Sequence, residues 1–299
     1  MPPPIQTAAD FPREVLDLFD QYVHGGLSRR GFLDGAGKYA VGGTTAVGLL
    51  EALSPNFAAA QQVADNDPRI VTSHAVFDSP KGYGKASGYL VRPAKGPAKI
   101  PAVLVVHENR GLNPHIEDIA RRIALEGYVA FAPDALFSLG GYPGDEDKAR
   151  ELFGKLDAAK VKADFLAAAG VLRGMPGTNG RMGVTGFCFG GGVTNFLATQ
   201  LPDLDAAVPF YGPAPAIADA ANIKSPMLLH FAQNDDRINA TWKEFEPALK
   251  AAKVRYEAYV YPHTEHGFNN DTTPRFDAQA AALAWQRTLT FFAHTLRTD

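Results

Sequence analysis

The chain has 299 residues, 46% hydrophobic and 20% charged, an ordinary balance for a globular protein of one large α/β domain or two smaller ones. Its formal charge of −3 and pI near 6.2 give no electrostatic basis for binding nucleic acid or an acidic membrane surface. One cysteine excludes an intramolecular disulfide framework and a multi-cysteine metal site, and no run of roughly 20 apolar residues offers a conventional membrane span.

Residues 1–64 read apart from the rest. Phe11–Val23 (FPREVLDLFDQYV) places apolar residues at helical spacing and is acidic rather than basic. Ser28-Arg29-Arg30-Gly31-Phe32-Leu33 follows, then a weakly apolar run, Tyr39–Leu53. That run is too short and too rich in Gly and Thr to span a membrane, and Glu51 interrupts it. Ala58-Ala59-Ala60 comes next. Paired arginines, a mild apolar segment and a small-residue site are similar to a twin-arginine export signal, which predicts a periplasmic or otherwise exported protein. The long acidic helical stretch ahead of the arginines points elsewhere. It predicts a retained N-terminal arm in a cytoplasmic protein, packed on the domain or on a partner subunit of a homo-oligomer.

Residues 65–299 alternate short β-rich runs with longer helical ones. The predicted strands are Ile70–Phe77, Ala86–Val91, Ala102–His107, Val129–Pro133, Met182–Thr185, Ala206–Phe210, Met227–Phe231 and Tyr256–Tyr261. The predicted helices are Ile116–Glu126, Ala149–Leu156, Val161–Leu172, Gly192–Thr199, Trp242–Ala252 and Ala278–Leu296. Continuous apolar runs such as AVLVVH and PMLLHFA belong to strands covered on both faces. The alternation therefore predicts an α/β fold, a mostly parallel central sheet with helices on both faces, and a ligand site at the carboxyl ends of its strands.

Cys188 lies in Gly186-Phe187-Cys188-Phe189-Gly190-Gly191-Gly192, between the strand RMGVT and a helix. This is the G-x-C-x-G form of a nucleophile elbow. A strand turning sharply into a helix strains the backbone at the nucleophile, and side chains two residues away would collide. With 29 glycines in the chain, glycine at both flanking positions arises by chance roughly once in a hundred cases. The helix N-terminus also favours a thiolate over a neutral thiol. An inert buried thiol is the competing reading.

The candidate partners follow in the order acid, then histidine. PMLLHFA ends in Gln233-Asn234-Asp235-Asp236, and RYEAYVYP ends in His263-Thr264-Glu265-His266-Gly267-Phe268. Spacing alone does not choose between Asp235 and Asp236, and either fits as a helix N-cap. His263 and His266 form a weak candidate metal pair in a loop without further ligands. The remaining six histidines read as surface or core residues.

Four segments together carry a family resemblance. They are Val106-His107-Glu108-Asn109-Arg110-Gly111-Leu112-Asn113, Gly186-Phe187-Cys188-Phe189-Gly190-Gly191, His230 through Asp235, and Glu265-His266-Gly267-Phe268. Over roughly residues 65 to 299 the chain resembles the dienelactone hydrolase (carboxymethylenebutenolidase) family of the α/β-hydrolase superfamily. The resemblance implies a nucleophile at Cys188, an acid at Asp235 and a histidine at His266. It further implies a glutamate at Glu108 that contacts the thiol and helps to generate the thiolate, and an oxyanion hole from the backbone N–H groups of Asn109 and Phe189. Family members that bind the dienelactone carboxylate use arginines. Here Asn270 stands where one of them falls, and Glu146 lies near the other, so Arg110 or Arg237 is left as a candidate anion ligand. The function implied is hydrolysis of a small-molecule ester or lactone through an acyl-cysteine, without metal or organic cofactor. A thioesterase or cysteine peptidase on the same fold, or a non-catalytic hydrolase-like binding protein, are the alternatives.

Overall fold

The computed structural model describes residues 6–40 and 44–297. The N-terminal stretch forms helices α1 (Arg13–Val23), α2 (Arg29–Ala36), α3 (Ala46–Leu53) and α4 (Phe57–Ala60). Their starts follow local chemistry: the side chains of Ser28, Thr45 and Asn56 accept from the backbone N–H groups of Gly31, Gly48 and Ala59. Of the weakly apolar run 39–53, Ala46–Leu53 is α3, and residues 41–43 lie outside the described residues. Val15, Phe19, Phe32 and Leu53 join in a small apolar core separate from those against the sheet. Each such fully buried side chain contributes on the order of 1.5–3 kcal/mol.

The remainder runs β1 (Ile70–Ser79), β2 (Gly84–Pro93), β3 (Ile100–Val106), α5 (Pro114–Leu125), β4 (Val129–Pro133), α6 (Glu146–Phe153), α7 (Ala158–Arg173) and β5 (Thr178–Phe187). It continues through α8 (Phe189–Gln200), β6 (Ala206–Phe210), β7 (Met227–Asn234), α9 (Asp236–Ala251), β8 (Tyr256–Glu265) and α10 (Ala278–Leu296). The eight strands form one sheet in the order β1-β2-β4-β3-β5-β6-β7-β8. β1 and β2 are antiparallel to each other, β2 is antiparallel to β4, and the strands from β4 to β8 are parallel. β4 and β6 are buried along their whole length, and β3 from its second residue on, whereas β1 at the edge alternates and leaves Val71 and Val76 exposed. Helices α5 and α10 cover one face through Ile116, Ile119, Ile123, Phe292 and Leu296. Helices α7, α8 and α9 cover the other through Phe165, Leu172, Leu197, Phe245 and Leu249.

Five of the six predicted helices start earlier than their periodicity predicts, and two of these starts have a visible cause. α8 begins at Phe189 rather than Gly192, and its first-turn glycines are there for close backbone packing. α9 begins at Asp236 rather than Trp242, because Asp235 caps it, its Oδ1 accepting from Ile238 N at 3.3 Å.

The helical stretch is fastened over the carboxyl ends of the parallel strands. Arg13 Nη1 lies 2.8 Å from both carboxylate oxygens of Glu265, and Arg29 Nη1 lies 2.7 Å from Asp147 Oδ2. Arg150 donates to the Tyr22 carbonyl at 2.6 Å and covers the Tyr22 ring at 3.8 Å, while the Tyr22 hydroxyl donates to Asp147. At the far end Gln62 N and Val63 N donate to the buried Asp118 carboxylate at 3.1 and 2.9 Å. Exposed ion pairs of this kind contribute little singly. The half-buried cluster about Tyr22 combines stacking, charge and hydrogen bonding at one place.

Candidate active site

Cys188 joins β5 to α8 with φ 56° and ψ −113°, a left-handed backbone that a side chain adopts only where its surroundings enforce it. The enforcement is visible in the glycines. A Cβ on Gly186 would lie 2.2 Å from the Gly190 carbonyl oxygen, and one on Gly190 would lie 2.3 Å from that of Val106. One on Gly191 would lie 2.5 Å from that of Phe210. The motif is thus a packing requirement: backbone meets backbone at three points, and the turn projects the Cys188 side chain beyond the strand ends.

Asp235 and His266 stand at the ends of β7 and β8, the next strands of the parallel run. His266 Nδ1 and Asp235 Oδ2 are 2.5 Å apart, and both side chains are buried. The same carboxylate therefore orients the histidine with one oxygen and caps α9 with the other, so the cap and the acid are one residue. Asp236 and His263 are exposed. His266 Nε2 is buried and without a hydrogen-bond partner among the described residues, and a ring nitrogen of His266 lies within 4.8 Å of Cys188 Sγ.

The loop after β3 forms a second wall. His107 Nε2 accepts from Ala135 N at 3.1 Å, which leaves Nδ1 to donate to the Glu108 carbonyl at 2.5 Å. Burial holds this imidazole below its ordinary pKa, hence neutral and fixed in that tautomer. The loop so held presents Glu108, Asn109 and Arg110. The backbone N–H groups of Asn109 and Phe189 have no acceptor in the backbone or side chains among the described residues, as donors awaiting an oxyanion would. Glu108 lines the cavity, but its Oε2 accepts from Asn270 Nδ2 at 3.0 Å, and the hydrogen-bond neighbour of the sulfur is another residue. Arg110 is buried, facing Glu146 at 3.6 Å and the Val23 carbonyl at 3.1 Å. Arg237 is exposed, its Nη2 3.1 Å from His24 Nε2.

The neighbour of the sulfur is His24, at the C-terminal end of α1, whose Nε2 lies 3.4 Å from Cys188 Sγ. The expectation that the six other histidines are surface or core residues holds for His230, buried between Thr288 and Tyr261, and fails for His24. The only signal in the sequence was Asp20 four residues before it, a spacing that joins two side chains on one helix face. With Tyr22 and Val23, His24 roofs a cavity of about 60 Å³ over Cys188, room for a few waters. Cys188 Sγ and ring nitrogens of His24 and His266 are also the one group spaced to hold a metal ion among the described residues.

Burial alone would raise the Cys188 thiol, but the charges of His266 and His24 outweigh it and lower its pKa to about 5. Burial likewise opposes the charge on His266, and the thiolate and Asp235 overcome it, raising the imidazole to about 10. With the thiol lowered and the imidazole raised, the charged forms of both are favoured across the neutral range. A charged sulfur, two unused amide donors and an oriented imidazolium can attack a carbonyl, hold the oxyanion and supply a proton.

Comparison with known proteins gives the family. The family model described as "Dienelactone hydrolase family" matches residues 86–296, and a second model, "YqhI-like", matches residues 2–40. A "Putative carboxymethylenebutenolidase" of Escherichia coli (strain K12) is 35% identical over 219 residues, 68% of this chain and 80% of that protein. A "Putative hydrolase fragment YghX" of the same organism is 58% identical over 113 residues, 38% of this chain and 97% of the fragment. The crystal structure of a "Putative Dienelactone Hydrolase" from Klebsiella pneumoniae superposes with a TM-score of 0.66 at 30% identity, covering 75% of this chain and 99% of that one. Among the described residues no helix is long and apolar enough to cross a membrane. The chain belongs to the dienelactone hydrolase family and is a hydrolase of that type on the α/β-hydrolase fold.

Proposed function

We propose that the chain hydrolyses neutral carboxylic esters or lactones through an acyl-cysteine. The observation that carries this is the Cys188 sulfur on a strained, glycine-packed turn, beside a buried histidine whose other nitrogen is bonded to Asp235. The thiolate attacks the carbonyl carbon, and the amides of Asn109 and Phe189 hold the oxyanion of the tetrahedral intermediate. That intermediate collapses with cleavage of the carbonyl–oxygen bond, and the His266 imidazolium gives its proton to the departing alkoxide. The neutral His266 then takes a proton from water, which attacks the thioester and releases the acid and the Cys188 thiolate. Because Cys188 is the only thiol, stoichiometric alkylation tests the nucleophile directly. Turnover of an activated ester is expected to fall in step with the alkylated fraction, and full turnover by fully alkylated protein would overturn the proposal.

The preference for neutral substrates rests on how the cavity charges are spent. Asn270, at the position of a carboxylate-binding arginine, is buried; its amide donates to Glu108 and its Oδ1 accepts from Thr272 N and Oγ1 at 3.1 and 2.6 Å. Arg110 is opposed by Glu146. Hydrogen bonds to charged groups contribute about 1.5–3 kcal/mol each, so the absence of two lowers kcat/KM for a free carboxylate by roughly 10²-fold or more. A lactone methyl ester is expected to outrun the corresponding free acid by that ratio. A preference for the free acid that disappears in Arg110→Ala would place the anion site at Arg110. The same preference persisting in Arg110→Ala would defeat both ideas.

A further inference from the structure

Cys188 has two imidazole neighbours, and the reaction above uses one. The second arrives on a different part of the chain. His24 closes α1, its Nε2 is 3.4 Å from Cys188 Sγ, and its ring meets that of His266 edge-on with centroids 4.7 Å apart. Its Nδ1 lies 2.8 Å from the Asp20 carbonyl oxygen and 3.2 Å from Asp20 Oδ1. Asp20 is in turn 3.6 Å from Arg275 Nη1. The sulfur therefore has two touching imidazoles beside it, His266 bonded to the Asp235 carboxylate and His24 bonded to the Asp20 backbone carbonyl with the Asp20 carboxylate 3.2 Å from the same nitrogen.

We propose that His24 is a second catalytic histidine, which hydrogen-bonds Cys188 Sγ and holds it as a thiolate before substrate arrives, with Asp20 as its positioning residue. The proposal rests on the acyl-cysteine reading. A thiol taken out of water resists ionisation, and a hydrogen bond from a charged donor favours the ionised form. Asp20–His24 supplies such a donor from beside His266, leaving His266 to move protons to the alcohol and from the water. Glu108, the residue that the family resemblance assigns to raising the thiolate, is occupied by Asn270, so the task falls to the group in contact.

The charged and titratable groups around this pair are few. Asp20, Cys188 and His266 face His24 directly. Arg275 backs Asp20, and Glu108, Arg110 and the buried Tyr211 hydroxyl lie around the sulfur. Arg237 Nη2 competes for His24 Nε2 at 3.1 Å; it is exposed, whereas Asp20 and the sulfur are sheltered, and screening weakens its claim. Burial works against charge on His24, and the thiolate with Asp20 turns the balance upward. The seat of His24 is also tied to the oxyanion loop: the Val23 carbonyl next to it accepts from Asn109 Nδ2 at 2.8 Å and Arg110 Nη1 at 3.1 Å.

The test is the pH dependence of Cys188 alkylation by iodoacetamide in the full chain, alongside kcat/KM for an activated ester. In the wild type, alkylation is expected to rise through about pH 5. In His24→Gln the midpoint moves upward by about one pH unit or more, and kcat/KM near pH 6 falls by about twofold for a shift of one unit and about tenfold for two. That loss recovers at alkaline pH, where the thiol ionises unaided, a recovery that damaged packing would not show. Asp20→Asn, which keeps the imidazole in place, moves the midpoint the same way by less. An unmoved or lowered midpoint in both folded variants, or a kcat/KM that rises, would overturn the proposal and leave His24 a steric cover. Failure of the underlying reading looks different, because turnover would then survive complete alkylation of Cys188 in the wild type.

Discussion

Cys188→Ala is expected to lower kcat for an activated ester by roughly 10⁶-fold, the scale seen when a triad nucleophile is deleted. The fold should survive. Alanine keeps the Cβ that already tolerates φ 56°, and the space lost is one sulfur where the core borders a small cavity. The two amide donors and His266 remain, so residual catalysis over water on the order of 10³-fold should persist. Near-ultraviolet circular dichroism and a thermal melt establish folding, and burst-free steady-state kinetics give the rate. A folded variant within tenfold of wild-type turnover would end the acyl-cysteine mechanism.

The second large effect is expected at Asp235. Asp235→Asn should cost roughly 10⁴-fold in kcat, because the one amide oxygen stays on the α9 cap and the NH2 then faces His266 Nδ1, which favours the wrong tautomer and cannot stabilise the imidazolium. Asparagine is as good an N-cap as aspartate, so α9 keeps its start and the loss belongs to chemistry. Asp236→Asn, at an exposed position, should stay close to wild type. Kinetics of the two variants side by side decide the assignment, and the reverse ranking would show that the acid lies one residue on.

Much of this site was legible because its parts are local. A glycine-flanked cysteine between a strand and a helix, and polar residues at the ends of β7 and β8, are short-range patterns that the sheet merely gathers. The strands themselves were legible as continuous apolar runs, whereas the two antiparallel pairings at the β1 edge have no comparable mark, since pairing direction is set by connections and not by composition. Asp235 and Asp236 were indistinguishable by spacing because capping and orienting use the same oxygen chemistry, and here one carboxylate does both. His24 was out of reach for another reason. It is 164 residues from its sulfur, and its approach depends on anchors such as Arg13–Glu265 and Asn109–Val23 that no periodicity announces.

The segment Ser28–Leu33 has one further consequence. In the folded chain Ser28 is an N-cap, Arg29 is paired with Asp147, and Phe32 is wholly buried among Val15, Phe19 and Leu53. Any receptor that bound this stretch as an extended peptide would therefore have to act before α2 closes, or pull Phe32 back out of its core. In the fold these six residues do not touch the cavity; they tie the helix that carries its roof, Tyr22 to His24, to the rest of the chain. A chain without residues 1–60 would lose His24 and the roof with it, leaving Cys188 open and His266 as its one imidazole neighbour among the described residues.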